Sequence, residues 1–175
     1  MTLKNKYIIL LLYLLFANAL QAQVSEYNHK AAFIERFTRF IEWPNSIERD
    51  TFKLAVIGKT PLKATLSELF IDLKIKGHNV ELIYTNNLND LTKVNLIFIS
   101  KSEKKRINEI LAFTDKYPIL TIGDSKGFCD KGVHINMYVD DNYIRYEINQ
   151  DAIEKSDLKV SSQLLSSAKI IKSND

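Results

Sequence analysis

The sequence predicts an α/β fold, a three-layer sandwich around a mixed, mostly parallel sheet with a Rossmann-like order of elements and an antiparallel C-terminal hairpin. Three observations carry this. Apolar strand-like runs alternate with stretches of helical periodicity between positions 52 and 122, the signature of parallel strands joined by crossover helices. The run Val94-Asn95-Leu96-Ile97-Phe98-Ile99 is almost wholly apolar, as a strand covered on both faces must be. From Val133 onward the period changes to two, and a polar turn at Asp140-Asp141-Asn142 separates two alternating runs, which marks a hairpin.

Each element has its own signals. A first helix is expected from about Asn28 to Ile41, with Phe33, Phe37 and Phe40 or Ile41 at helical spacing and Pro44 just beyond its end. Phe52 to Ile57 reads as a strand ending at Gly58, and Thr60-Pro61 opens a second helix, Thr60 as cap and Pro61 in the first turn. Leu62, Leu66, Leu69 and Phe70 form its apolar stripe. Strands are expected at Val80 to Tyr84, Val94 to Ile99 and Ile119 to Ile122, with a helix from about Glu103 to Phe113 before the last of them. The hairpin pairs Val133 to Val139 with Tyr143 to Ile148, and helical material is expected from about Asp151 to Ile171, buried through Leu164, Ala168 and Ile171.

The first 22 residues read as a secretory signal peptide. Lys4 and Lys6 precede an uncharged apolar run from Tyr7 to Ala19, and small residues stand at Ala17, Ala19 and Ala22. The run is short for a membrane span, which needs about 20 apolar residues. Cleavage fits after Ala19 or after Ala22. Residues 23–175 then form one domain, exported to the periplasm. Two of the 24 basic residues and none of the 21 acidic ones lie in the leader, leaving 22 against 21 and a net charge of +1. So balanced a charge gives nucleic acid no footprint. Lys101, Lys104, Lys105 and Arg106 read as a solvated face.

The motifs of catalysis are missing. The turn Gly58-Lys59-Thr60-Pro61 carries neither a GxGxxG fingerprint nor a GxxxxGK[ST] phosphate loop. Ser161, Ser162, Ser166 and Ser167 sit in no GxSxG elbow. His29, His78 and His134 are scattered without metal-ligand spacing, so no metal site, cofactor or catalytic residue is assigned. Cys129, the single cysteine, is expected to be buried, although pairing with another chain stays open. One place invites a small polar ligand. The carboxyl ends of the parallel strands carry Lys59, Thr60, Ser100 and Asp124, where open α/β sheets bind their ligands.

Seven segments, in order, resemble the YfiR-like periplasmic family. They are Lys30-Ala31-Ala32-Phe33 with Phe37, Phe40-Ile41 and Glu42-Trp43-Pro44; Lys53 to Gly58; Leu96 to Ser100; Ile119 to Asp124; Gly127-Phe128-Cys129; Arg145 to Asn149; and Ser161 to Leu165. The resemblance implies a periplasmic regulator without enzymatic activity. It would bind the periplasmic sensor region of an inner-membrane signalling protein, a diguanylate cyclase whose cyclic di-GMP output it lowers, or a histidine kinase. Cys129 matches the family's G-F-C motif. Val94 and Asn95 stand where a second frequent cysteine precedes the L-F-I-S strand, so a disulfide within the chain does not carry over. The partner surface is expected at Phe128, Tyr143, Arg145 and Tyr146, with Tyr138 beside them. Arg145 and Glu147, two apart on one strand, are expected to pair locally. An uncovered sheet edge would allow a homodimer. A binder of small molecules at the strand ends is the alternative, and an enzyme using Cys129 and His134 the third reading.

Overall fold

The computed structural model describes residues 13, 26–44, 51–141 and 143–172. All but one residue of the expected leader, its cleavage positions and Asn142 of the hairpin turn lie outside the described residues. Among the described residues no helix is long and apolar enough to cross a membrane.

The chain opens with helix α1 over 26–39 and a short strand β1 (Ile41–Glu42). It continues through β2 (Thr51–Ile57), α2 (Leu62–Leu69), β3 (Asn79–Thr85), β4 (Leu96–Ile99), α3 (Ile107–Thr114) and β5 (Leu120–Gly123). Then come β6 (Ile135–Asp140), β7 (Tyr143–Asn149), α4 (Gln150–Lys155), β8 (Lys159–Val160), α5 (Ser162–Ser166) and β9 (Lys169–Ile171). Seven strands form one sheet in the order β3-β2-β4-β5-β6-β7-β9; β3 to β6 run parallel, β7 is antiparallel to β6, and β9 is parallel to β7. The α/β class and the mixed, mostly parallel sheet are as the sequence predicts.

Chain reversal at β2 sorts the helices. The crossover through α2 leads from β2 outward to β3, whereas β4 to β5 moves the other way along the sheet. Crossovers of one hand therefore place α2 and α3 on opposite faces. The core divides accordingly. Phe52, Leu54, Val56, Leu96, Phe98, Leu120 and Ile122 pack with Ile34 and Phe37 of α1 and Leu62 and Leu66 of α2. Ala55, Ile57, Ile97 and Ile99 pack with Ile107, Ile110 and Leu111 of α3. The two sets alternate along each strand, as the period of two requires.

Two expectations fail at the ends. The first helix stops at residue 39, and Ile41-Glu42 instead pairs antiparallel with Val160 and Lys159. Trp43 precedes Pro44, which disfavours helical backbone there. Its ring instead packs edge-on against Phe52 at 5.4 Å, with its indole N–H donating to the Asn95 carbonyl at 3.1 Å.

The C-terminal stretch is not one helix. It is α4, β8, α5 and β9 in succession, each capped or paired on its own. The Asn149 side chain caps α4 by accepting from the Ala152 N–H at 2.7 Å. Ser161 caps α5, and Ile170 joins the sheet beside Ile148. Serine competes for backbone hydrogen bonds and interrupts helices, and the segments pair elsewhere, β8 with β1 in a two-stranded sheet and β9 with β7 at the edge of the main one.

Candidate functional site

Three places bring the chemistry-bearing residues together. The first is the carboxyl end of the sheet at the switch point between β2 and β4. Gly58 sits at φ +88, and a Cβ there would stand 2.4 Å from Ser102 Oγ and 2.6 Å from Ser100 Oγ. The absent side chain lets the loops close on each other. The Lys59 N–H donates to Ser102 Oγ at 2.9 Å, and the Ser100 hydroxyl donates back to the Lys59 carbonyl at 3.1 Å. The Gly58 N–H donates to Asn86 Oδ1 at 3.2 Å. Ser100 is buried, Thr60 uses its hydroxyl on the Leu62 N–H, and only the Lys59 side chain projects into solvent. Of the four expected ligand residues, Lys59, Thr60 and Ser100 therefore share this turn.

Asp124 stands beyond the next strand and turns toward α1. Its Oδ2 lies 3.0 Å from the Lys30 ammonium, which also meets Glu26 at 2.7 Å. Burial pulls the Lys30 ammonium down, but Asp124 and Glu26 together outweigh it and hold the group above its ordinary value. Lys30 lies in the K-A-A-aromatic segment; its chemical role is this ion pair, which sequence spacing could not supply.

The second place is the β6–β7 hairpin. Pairing sets Asn136 opposite Glu147, Tyr138 opposite Arg145, and Asp140 opposite Tyr143, so all six share one face. The inner pair is buried, with Asn136 Nδ2 donating to Glu147 Oε1 at 3.0 Å. The outer pairs reach solvent, Tyr143 most of all at 71% exposed. Arg145 bonds Asp140 at 2.9 Å rather than Glu147, which faces Asn136 and Lys169. The expected Arg145–Glu147 pair is thus replaced: Glu147 is engaged by Asn136, and the guanidinium turns to Asp140, its diagonal neighbour across the hairpin.

Phe128 is not a surface residue. It is 1% exposed and packs onto Gly123, where a Cβ would lie 2.5 Å from its ring. Tyr146 is half-buried, packed edge-on against Phe37 at 4.9 Å with its hydroxyl held by the Leu164 carbonyl and Ser167. Only Tyr143 and Arg145 of the expected partner set present free faces, with Tyr138 half-buried next to them.

The third place was not foreseen. A cavity of about 470 Å³ opens at the amino ends of β5 and β6, lined by Asp115, Tyr117, Asp130, Lys131, His134 and Lys155 among others. His134 is buried, and its Nδ1 accepts the Thr121 N–H at 3.1 Å. Burial lowers its pKa to about 4. Cys129 is buried too, its thiol donating to the Glu147 carbonyl at 3.5 Å, and burial with the nearby Glu147 charge pushes it well above the ordinary thiol range. Cys129 and His134 thus serve different partners and form no nucleophile–base pair.

A model of the YfiR/HmsC-like family matches residues 27–169. No curated protein matches the chain. Among solved structures, the ABC domain in complex with L-Trp from Streptococcus pneumonia is similar at a TM-score of 0.52 and 12% identity, over 69% of this chain and 55% of that one. A conserved domain protein from Vibrio cholerae O1 biovar eltor is similar at a TM-score of 0.55 and 10% identity, over 82% of this chain and 59% of that one. The chain thus spans little more than half the length of either solved chain, and at such identities the likeness concerns the fold alone.

Proposed function

Because the chain belongs to the YfiR/HmsC-like family, we propose that it is an exported, non-enzymatic regulatory domain. It binds the periplasmic sensor region of a membrane signalling protein, a diguanylate cyclase or a sensor kinase, and modulates its output. The observation that carries this reading is the family match across almost the whole described chain.

The hairpin supports it with a place for docking. Its outer half presents Tyr138, Tyr143 and Arg145 on one face, beyond the buried Asn136–Glu147 pair. Val139 on the opposite face is 51% exposed. Tyrosine and arginine combine contact area, donors and a permanent charge, the chemistry that dominates protein interfaces.

The test is mild crosslinking of the tagged protein in its native envelope, followed by mass spectrometry. The expected result is an inner-membrane protein carrying a cytoplasmic cyclase or kinase module, lost from a Tyr143→Ala/Arg145→Glu variant. Recovery of the protein alone, or a capture that the variant leaves unchanged, would overturn the reading or its assignment to the hairpin, respectively.

A further inference from the structure

The cavity at the amino ends of β5 and β6 holds four charged side chains that have no charged partner. Asp115 follows α3, Asp130 and Lys131 lie on the turn before β6, and Lys155 ends α4. Among the described residues none of the four makes an ion pair. All four are exposed, and like Arg36 and Lys116 they are left to solvent, whereas arginines 39, 106 and 145 each find a carboxylate within 3.3 Å. Here two carboxylates and two ammonium groups line one concavity and leave each other unpaired. Burial raises the Asp115 carboxyl above its ordinary value with no cation to offset it.

Buried polar groups form the base of the cavity. The floor is His134, fixed by Thr121, and Asn149, whose amide donates to the Cys129 carbonyl at 2.6 Å and whose oxygen caps α4. Neither has a role in the docking face, and both are buried polar groups with their bonds already made. A volume of about 470 Å³ lies within the range of about 300–1,000 Å³ typical of small-molecule sites. A single ion would answer one sign of charge and leave the other pair unmet.

We propose that this cavity binds a small zwitterion with separated charges, a dipeptide with free termini. Its ammonium end meets Asp115 or Asp130 and its carboxylate meets Lys131 or Lys155. Charge-assisted hydrogen bonds at both ends would fix its orientation. The site stands at the opposite end of the sheet from Lys59 and Ser100, and it stands independently of the docking reading. Binding could hold while docking fails, and the reverse.

The test is calorimetric titration of the purified chain with L-alanyl-L-alanine, against the same dipeptide acetylated and amidated at its ends. Saturable binding is expected for the zwitterion, with the capped form at least about tenfold weaker, the scale of one charge-assisted hydrogen bond. Asp115→Asn and Lys155→Gln should each weaken binding by about tenfold while leaving the thermal midpoint unchanged, since both residues are exposed. Absence of saturable binding would overturn the proposal. So would equal binding of the capped form, or binding that the Asp115→Asn/Lys155→Gln double variant leaves intact.

Discussion

The Lys30 ammonium and the Asp124 carboxylate, 94 positions apart, meet at 3.0 Å in a setting that leaves their side chains 6% and 3% exposed. This pair ties the first helix to the carboxyl end of β5. One carboxylate oxygen, Asp124 Oδ1, is buried with no hydrogen-bond partner, so the group depends on Lys30 for its compensation. Lys30→Met should lower stability by about 3 kcal/mol, because it strands a buried charge. Lys30→Met combined with Asp124→Leu should recover most of the loss. Urea denaturation of the three proteins checks both expectations.

The turn at Gly58 makes a second prediction. A methyl group there would meet Ser102 Oγ, Ser100 Oγ and Glu103 Cγ at 2.4 to 2.7 Å, on a backbone with φ +88. Gly58→Ala should therefore cost about 2 kcal/mol, from left-handed strain and overpacking together. Gly77→Ala shares the positive φ but has nothing within 4 Å, so its loss in the same melting experiment should be smaller.

Acid should weaken the fold through His134. Its pKa is near 4 in the folded chain and near 6.5 in the unfolded one. The unfolded chain thus binds a proton below about 6.5 that the native site refuses until about pH 4. Its contribution is intact above pH 6.5 and is lost as pH falls to 4, by about 3 kcal/mol at most. His134→Gln should flatten that part of the stability–pH curve.

Cys129 should resist alkylation. Its thiol is buried and held in the protonated form, which is the unreactive one. Iodoacetamide at pH 8 should leave the folded chain unmodified over hours and label it within minutes in denaturant. Rapid labelling under native conditions would contradict the burial.

Two of the aromatic residues expected at the partner surface, Tyr143 and Phe128, should separate cleanly. Tyr143→Ala removes an exposed ring and should change stability by no more than about 0.5 kcal/mol. Phe128→Ala empties the space above Gly123 and should cost about 3–5 kcal/mol. Thermal melts of both variants, run beside the crosslinking experiment, distinguish a docking defect from a folding one.

Local patterning was enough to read the alternation of strands and helices, the doubly covered β4, the hairpin and the burial of Cys129. Those features are written in local periods: two for strands, three to four for helices, and an apolar run wherever both faces are covered. The seven family segments were legible too, and most of them lie on these core elements.

What the charged and aromatic residues do follows from contacts between elements far apart in the chain. Lys30 finds Asp124, Arg145 finds Asp140 across the hairpin, and Phe128 goes inward because Gly123 has no side chain in its way. The stretch after Asp151 breaks into short pieces because β1 and β7 offer backbone partners worth more than a continuous helix. The cavity beside His134 gathers its lining from three stretches of chain, 114–117, 130–134 and 149–156. Such partnerships depend on distances between elements remote in sequence, and no local period records them.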